Sequence, residues 1–180
     1  MTHRLVPHGQ GGASHAQVAA RAELDHDLHL RLEWSLTGNL AELAIPRRSA
    51  SRRADRLWEH TCFEAFVAPA SGSRYYELNF APSTRWAAYA FDGYRQGMRP
   101  LELAEPPSVK VVTAANELRV TAGIELGGLA DAPWPWRIGL TAVVEDRAGG
   151  RAYYALSHPR EKPDFHDAAA FTVLVDGSAR

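Results

Sequence analysis

The sequence predicts an all-β protein, with antiparallel strands in a two-sheet β-sandwich of the jelly-roll or immunoglobulin-like class. Short segments in which apolar and polar residues alternate recur along the chain, and Pro, Gly and Asp separate them. No segment shows the apolar spacing of a long amphipathic helix. Because each strand then has one apolar face, two facing sheets are the most economical way to bury about ten such faces.

The first two strands are predicted at 17–24 and 28–34, where apolar side chains occupy every second position. The polar segment 25–27 between them favours a hairpin turn. Trp34 continues the alternation of the leucines in the second strand. It is therefore predicted to lie in the core.

The later strands follow the same alternation, and segments rich in Pro, Gly or Arg separate them. A meander of antiparallel strands is predicted between residues 62 and 91, because Pro69, Gly72 and Pro82 mark strand ends at short intervals. The predicted loops are 47–56, which can also hold a short helix, 97–107 and 127–135. The predicted strands are, in order, 41–45, 62–67, 75–80, 86–91, 109–113, 118–124, 138–145, 152–156 and 171–175.

The length of 180 residues fits one domain, which can bury a sizeable core without a disulfide or a metal ion. A single domain is predicted over residues 14–177, and residues 1–13 are predicted to be a loose lead-in. The only cysteine, Cys62, excludes a disulfide within the chain. It is interpreted as a small buried apolar residue.

Charge and hydropathy limit the partners. The formal net charge is −1 and the pI is about 6.7, which argues against a non-specific nucleic-acid binder. The arginines in 47–56 are interpreted as part of a solvated loop rather than a phosphate site. No apolar run is long enough to span a membrane, and no apolar signal segment follows Met1, so we expect a cytoplasmic protein.

Two glutamates occupy the interiors of predicted strands. Glu64 shares a strand face with Cys62 and Phe66, and Glu77 shares a face with Tyr75 and Asn79. A carboxylate among apolar neighbours is costly unless it is paired or hydrogen-bonded. If the two strands are adjacent, the acids and Asn79 converge on one concave face, where they suit sugar hydroxyl groups.

Three segments carry a resemblance to a known family. They are 57–67, with the sequence LWEHTCFEAFV, 75–82, with YYELNFAP, and 153–167, which contains YYALSHP and PDFHD. Together they resemble the DOMON-like domains related to family 9 carbohydrate-binding modules, in which an apolar-Glu-apolar-Phe strand precedes a Tyr-x-Glu-x-Asn strand ending in Pro. The likeness extends over about residues 17–175. It implies a β-sandwich and, for the better-known relatives, sugar or haem binding. Those relatives often have an acidic residue where Thr61 stands.

The leading hypothesis is a non-catalytic module that binds a small ligand, most readily a carbohydrate, on a concave sheet face and without a cofactor. Trp58 is the preferred stacking platform, because it lies at the entry to the Glu64 strand, and Trp134 and Trp136 are further candidates. The oligomeric state stays open. The predicted ligand-binding residues are Trp58, Glu64, Glu77, Asn79, Trp86, His158, Asp164 and His166.

Other functions stay open at this point. Glu64 and Glu77 could serve as the acid and base of a glycoside hydrolase, although no catalytic motif such as GxSxG or a P-loop is present. A metal-dependent enzyme could use His158, Asp164, His166 and Asp167, but loop capping by Asp164 is preferred. Haem could take Met98 and a histidine as axial ligands. A protein-interaction domain is the last alternative.

Overall fold

Antiparallel strands make up almost all of the regular structure. The computed structural model describes residues 1–9, 16–25, 28–126 and 135–175. Short 3-10 helices lie at Leu40–Glu42, Leu57–Glu59 and Ala168–Ala170, and no helix in these ranges is long and apolar enough to cross a membrane. The strands are β1 Thr2–Pro7, β2 Gln17–Leu24, β3 His29–Thr37, β4 Cys62–Ala68, β5 Tyr75–Phe80, β6 Trp86–Phe91, β7 Arg99–Pro100, β8 Ser108–Thr113, β9 Glu117–Glu125, β10 Trp136–Glu145, β11 Arg151–Ala155 and β12 Val173–Val175.

The strands form one continuous hydrogen-bonded path in the order β7-β6-β5-β4-β10-β11-β1-β2-β3-β9-β8, and β12 pairs with β10. Strand β1 joins the two halves of this sheet, because residues 2–5 pair with β2 and residues 6–7 pair with β11. The all-β antiparallel prediction is confirmed. The prediction of two separate sheets is not, since the sheet curls over its own core instead of being divided.

Trp34 lies at the centre of that core. It is fully buried on β3 with Leu30, Leu32 and Leu36, as the alternation of the sequence predicts. We call β2, β3, β8 and β9 the first half of the sheet, and β4 to β7 with β10 to β12 the second half. The Trp34 ring lies 5.9 Å from both the Phe63 and Phe80 rings of the second half. Burial of such large apolar side chains, each contributing about 1.5–3 kcal/mol, holds the halves face to face.

Strands β4, β5 and β6 are buried on both faces. One face packs on the central core, and the other lies under the 3-10 helix Leu57–Glu59 and the segment 165–171. Phe171 stacks on Phe66 with a ring separation of 5.6 Å, and Tyr75 stacks on Phe91 at 4.7 Å. The outer face of β4, β5 and β6 is therefore part of the protein interior.

The predicted bounds of β5 and β6 agree with the structure, but other local predictions are wrong. Residues 2–7 form a strand instead of a lead-in, and because only Leu5 is buried in β1, the sequence shows no alternation there. The predicted strand 41–45 contains a 3-10 helix, since the Asn39 side chain accepts a hydrogen bond from Ala41 N and caps the turn. The predicted loop 97–107 contains the two-residue strand β7.

Arg53 is an exception to the solvated loop predicted for 47–56. Its guanidinium donates to the carbonyl oxygens of Leu101 at 3.0 Å and Ala88 at 2.5 Å. It also lies over the rings of Trp86 and Tyr89, at 5.7 and 5.8 Å from their centres. The side chain therefore ties the loop to β6, a role that a count of charges cannot reveal.

Gly139 on β10 leaves room for Phe171, because a Cβ atom placed there would lie 2.5 Å from Phe171 Cδ1. We expect Gly139→Ala to destabilise the protein by about 1–3 kcal/mol through overpacking. The same substitution in a Phe171→Ala background should cost less, since the clash is gone. Urea denaturation of the two single variants and the double variant measures this, and strictly additive losses would contradict the packing described.

Candidate functional site

Two acids lie on the covered outer face of the sheet. Glu64 on β4 faces Asn79 across the β4-β5 pair, and Glu77 on β5 faces Phe66. Both side chains are almost completely buried, with 2% and 4% of their surface exposed. As the strand alternation predicts, the acids share one face, and adjacent strands bring them together.

The acids line a cavity of about 370 Å³. Trp58, Phe91, Tyr153 and Phe165 contribute aromatic surface to its walls. The solvent-exposed residues of the lining are Arg95, Met98, Arg151 and Pro163. Val143 and His166 complete the lining. The cavity thus has an acidic floor, aromatic walls and two arginines near solvent.

Glu77 is held in place by hydrogen bonding. Asn79 Nδ2 donates to Glu77 Oε1 at 2.7 Å, and His166 Nε2 lies 3.9 Å from Glu77 Oε2. Burial raises the pKa of Glu77, and the Asn79 hydrogen bond and the charge of Arg95 offset part of that rise. Asn79 is therefore a support for the acid rather than part of the cavity wall.

Glu64 is less well satisfied. Its Oε1 atom is buried and has no hydrogen-bond partner among the described residues, and the same holds for Oγ1 of Thr141, which stands opposite on β10. Burial and the charge of Glu77 raise the pKa of Glu64 well above its ordinary value, and the nearby Thr141 hydroxyl lowers it only in part. Burial and Glu77 thus both disfavour the ionised form of Glu64.

His166 connects the acid floor to a hydrogen-bonded chain. Arg95 N donates to Tyr75 Oη at 3.1 Å, and Tyr75 Oη shares a hydrogen bond with His166 Nδ1 at 2.7 Å. Burial and the charge of Arg95 lower the pKa of His166 to about 4. The ring is thus neutral at neutral pH, and its Nε2 atom lies 3.9 Å from Glu77 Oε2.

Asp164 anchors the loop that carries His166. It accepts hydrogen bonds from Tyr94 Oη at 2.5 Å, Arg95 Nη2 at 2.9 Å and His166 N at 3.1 Å. Burial works to raise the pKa of Asp164, but the hydrogen bonds from Tyr94 and Arg95 lower it overall. Loop capping by Asp164 is confirmed, and its carboxylate forms an ion pair with the Arg95 guanidinium.

The eight predicted ligand residues separate into three groups. Trp58, Glu64, Glu77 and His166 line the cavity. Asn79 and Asp164 hold lining residues from behind. Trp86 and His158 lie outside the lining. Whether the first group binds a ligand stays a prediction.

Trp86 and the remaining candidates require correction. Trp86 lies on the core face of β6, with 8% of its surface exposed, so it cannot stack on a ligand at the acids. His158 contacts Val6 O at 2.9 Å and packs against the edge of His8. Trp136 is buried in the core, and Trp134 lies outside the described residues.

The residues predicted to bind a metal ion and those predicted to bind haem lie in different surroundings. Within residues 1–9, 16–25, 28–126 and 135–175, no three His, Cys, Asp or Glu side chains come together as metal ligands. His158 and His166 in particular have separate partners. Met98, the candidate haem ligand, lines the cavity with 49% of its surface exposed.

Solved structures with a similar fold are carbohydrate-binding proteins. A protein of Bacteroides uniformis ATCC 8492 to which carbohydrate binding is ascribed superposes with a TM-score of 0.68 and 14% identity, over 96% of this chain and 84% of that one. A family 9 carbohydrate-binding module from Caldicellulosiruptor kristjanssonii, solved with glucose, gives a TM-score of 0.53 and 11% identity over 91% and 78% of the chains.

The same module solved with cellotriose gives a TM-score of 0.52 and 11% identity, over 93% of this chain and 79% of that one. No protein-family model and no curated protein matches the sequence. At such low identity, the structural likeness shows the shared all-β fold and nothing about individual side chains.

Several cavity residues escape sequence reasoning. Arg95 lies in a turn with a positive φ of 54°, and nothing in the sequence indicates that the turn returns to the cavity. Tyr153 does carry a signal, because alternation along β11 places it on the face opposite the buried Tyr154. Arg151 shares that face with Tyr153. Their approach to the acids depends on the pairing of β11 with β10.

The raised pKa of Glu64 makes a prediction for stability. A carboxyl whose folded-state pKa exceeds its unfolded-state value of 4.5 stabilises the fold fully below pH 4.5, and this contribution is lost as pH rises through the folded-state pKa. Glu64→Gln should therefore leave stability unchanged at pH 4. At pH 8 it should raise the free energy of unfolding by about 1.4 kcal/mol for each pKa unit by which folding raises the pKa of Glu64.

Chemical denaturation at several pH values measures this difference, with Glu33→Gln on the half-exposed face of β3 as the matched control. An unchanged difference between Glu64→Gln and the unsubstituted protein at every pH would show that Glu64 titrates normally. The control variant should show no such trend.

Proposed function

We propose that the protein is a non-catalytic module that binds a small carbohydrate in the cavity beside Glu64 and Glu77. The composition of the cavity supports this proposal, because hydrogen-bonding groups and aromatic rings line one cavity that is open to solvent on one side. A cavity of about 370 Å³ lies within the range of small-molecule sites. Sugar rings present hydroxyl groups at their edges and C–H groups on their faces, and this lining offers partners for both.

Trp58 is the proposed stacking residue. It lies on the 3-10 helix Leu57–Glu59, is partly exposed, and packs edge-on against Tyr89 with a ring separation of 5.8 Å. Tyr89 fixes the indole from one side, while the indole also lines the cavity. Such a held ring loses little conformational freedom when a ligand stacks on it.

Similar folds support the proposal at the level of protein class. The solved neighbours include a module in complex with glucose and with cellotriose. We further propose that the curled sheet is a variant of the DOMON-like sandwich, since its two halves pack face to face across one core. We also propose that the protein is cytoplasmic. In that location a small soluble sugar is a more accessible ligand than a polysaccharide.

Hydrolysis of a glycosidic bond is the second candidate function. It is favoured by the presence of two buried acids with raised pKa values in one cavity. Analysis of the sugar recovered after a binding experiment separates the candidates. A binding module returns the oligosaccharide intact, whereas a hydrolase returns shorter products.

Calorimetric titration with glucose, cellotriose and a panel of other small saccharides tests the binding function. We expect at least one sugar to bind saturably, and Trp58→Ala to weaken that binding about tenfold, or about 1.4 kcal/mol, through loss of the stacked ring. The melting temperature should fall, because Trp58 packs against Tyr89 and the buried outer face, but the variant should remain folded.

Leu174→Ala is the matched control, since Leu174 is an exposed apolar side chain outside the cavity lining. It should leave the affinity unchanged. Absence of binding across the whole panel would overturn the proposed function, and equal affinities for the Trp58→Ala and unsubstituted proteins would remove the role of the indole.

A further inference from the structure

Among the described residues, no arginine or lysine forms an ion pair with either acid of the cavity floor. Arg95, whose charge lowers the pKa of Glu77, forms its ion pair with Asp164 at 2.9 Å. Arg151 lines the cavity near solvent and makes no ion pair with either acid. His166 Nε2 lies 3.9 Å from Glu77 Oε2, and burial keeps this ring neutral. The acid pair of the floor therefore lacks an ion-paired cation among these residues.

The hydrogen-bonding capacity of the acid pair is only partly used within the described residues. Glu64 lines the cavity, its buried Oε1 atom has no hydrogen bond by distance and angle, and the Thr141 hydroxyl is the polar group beside it. Glu77 Oε2 has only the ring nitrogen of His166 at 3.9 Å, which is too long for a hydrogen bond. Because a buried acceptor without a donor is unfavourable, a ligand that brings donors to these oxygens is stabilised.

The walls are suited to a cation as well. Trp58, Tyr153 and Phe91 line the cavity beside the acids, and the faces of aromatic rings attract ammonium groups. The attraction is strongest when the cation is desolvated. Neutral sugar hydroxyls would satisfy the hydrogen bonds but would leave the charge of Glu77 uncompensated.

We infer that the ligand is a saccharide with a free amino group, and that its ammonium group lies between Glu64 and Glu77. This inference rests on the proposed carbohydrate-binding function and adds the chemical class of the sugar. An ammonium group has three donors and one positive charge, which match the open acceptors and the uncompensated charge of the acid pair. Acetylation of the amine removes the charge and adds bulk, so an N-acetyl sugar should be rejected.

Binding of the charged amine changes the protonation of the floor. Burial disfavours the ionised forms of both acids in the free protein, whereas a bound ammonium group favours them. We therefore expect ammonium binding to release protons from the acid pair to bulk water. The other titratable and charged groups near the acids are the thiol of Cys62, whose pKa is raised by burial and by the charges of both acids, the hydroxyls of Tyr75 and Tyr89, the neutral His166, Arg95 and Arg151.

The test is isothermal titration calorimetry of the full chain with glucosamine, glucose and N-acetylglucosamine at pH 6.5, where amines of this type are protonated. Each titration is repeated in two buffers with different ionisation enthalpies, which gives the number of protons released. We expect glucosamine to bind at least about tenfold more tightly than glucose, with net release of protons. N-acetylglucosamine should bind more weakly than glucose.

Glu64→Gln tests the assignment of the floor. Because the amide cannot become anionic, this variant should lose the preference for glucosamine over glucose and release fewer protons. Glu33→Gln, on the half-exposed face of β3, should keep both. The comparison uses the ratio of two affinities for one variant, so a general change in binding strength does not alter it.

The outcomes separate this inference from the proposed function. Equal affinities for glucose and glucosamine, or tight glucosamine binding without proton release, would overturn the inference and leave a carbohydrate-binding module in place. Failure of every sugar to bind would overturn the proposed function itself. Ethanolamine, an amine without a sugar ring, should bind far more weakly than glucosamine, and equal binding would show that the sugar is not recognised.

Discussion

Two carboxyl groups lie side by side under a layer of aromatic side chains, and the cost of placing them there governs the surrounding structure. The segment 165–171 and the 3-10 helix Leu57–Glu59 remove water from Glu64 and Glu77 by covering the outer face of β4 and β5. The hydrogen bond from Asn79 offsets part of that cost for Glu77, whereas Glu64 Oε1 has no hydrogen-bond partner among the described residues. A fold selected only for stability would place apolar residues at these positions, so the unmet requirement points to a ligand.

Much of the fold follows from two-residue alternation. β2, β5 and β6 are predicted with their observed bounds, because each has apolar residues at every second position and a clear breaker beyond its end. The sequence pattern does not predict β1, because this strand is defined by its pairing with β2 and β11 and not by a buried face. That single strand converts two expected sheets into one curled sheet, and a partner distant in sequence determines it.

The candidate site was predictable only where strand geometry determines it. Alternation and the adjacency of β4 and β5 place Glu64 beside Glu77, but alternation alone does not say which face of β6 meets the core. Trp86 was for that reason assigned to the wrong face. The positions of Arg95 and His166 depend on loops, whose path is set by Asp164 and Tyr75 rather than by any local pattern.

Burial and the charge of Glu77 raise the pKa of Glu64 well above its ordinary value, and the candidate site depends on this shift. NMR spectroscopy of protein labelled with ¹³C at the glutamate carboxyl carbons measures it directly, with Glu64→Gln and Glu77→Gln spectra to assign the two signals. We predict that the Glu64 carboxyl carbon titrates well above the ordinary pH range of a glutamate. A Glu64 signal that titrates at the ordinary value of 4.5 would contradict it.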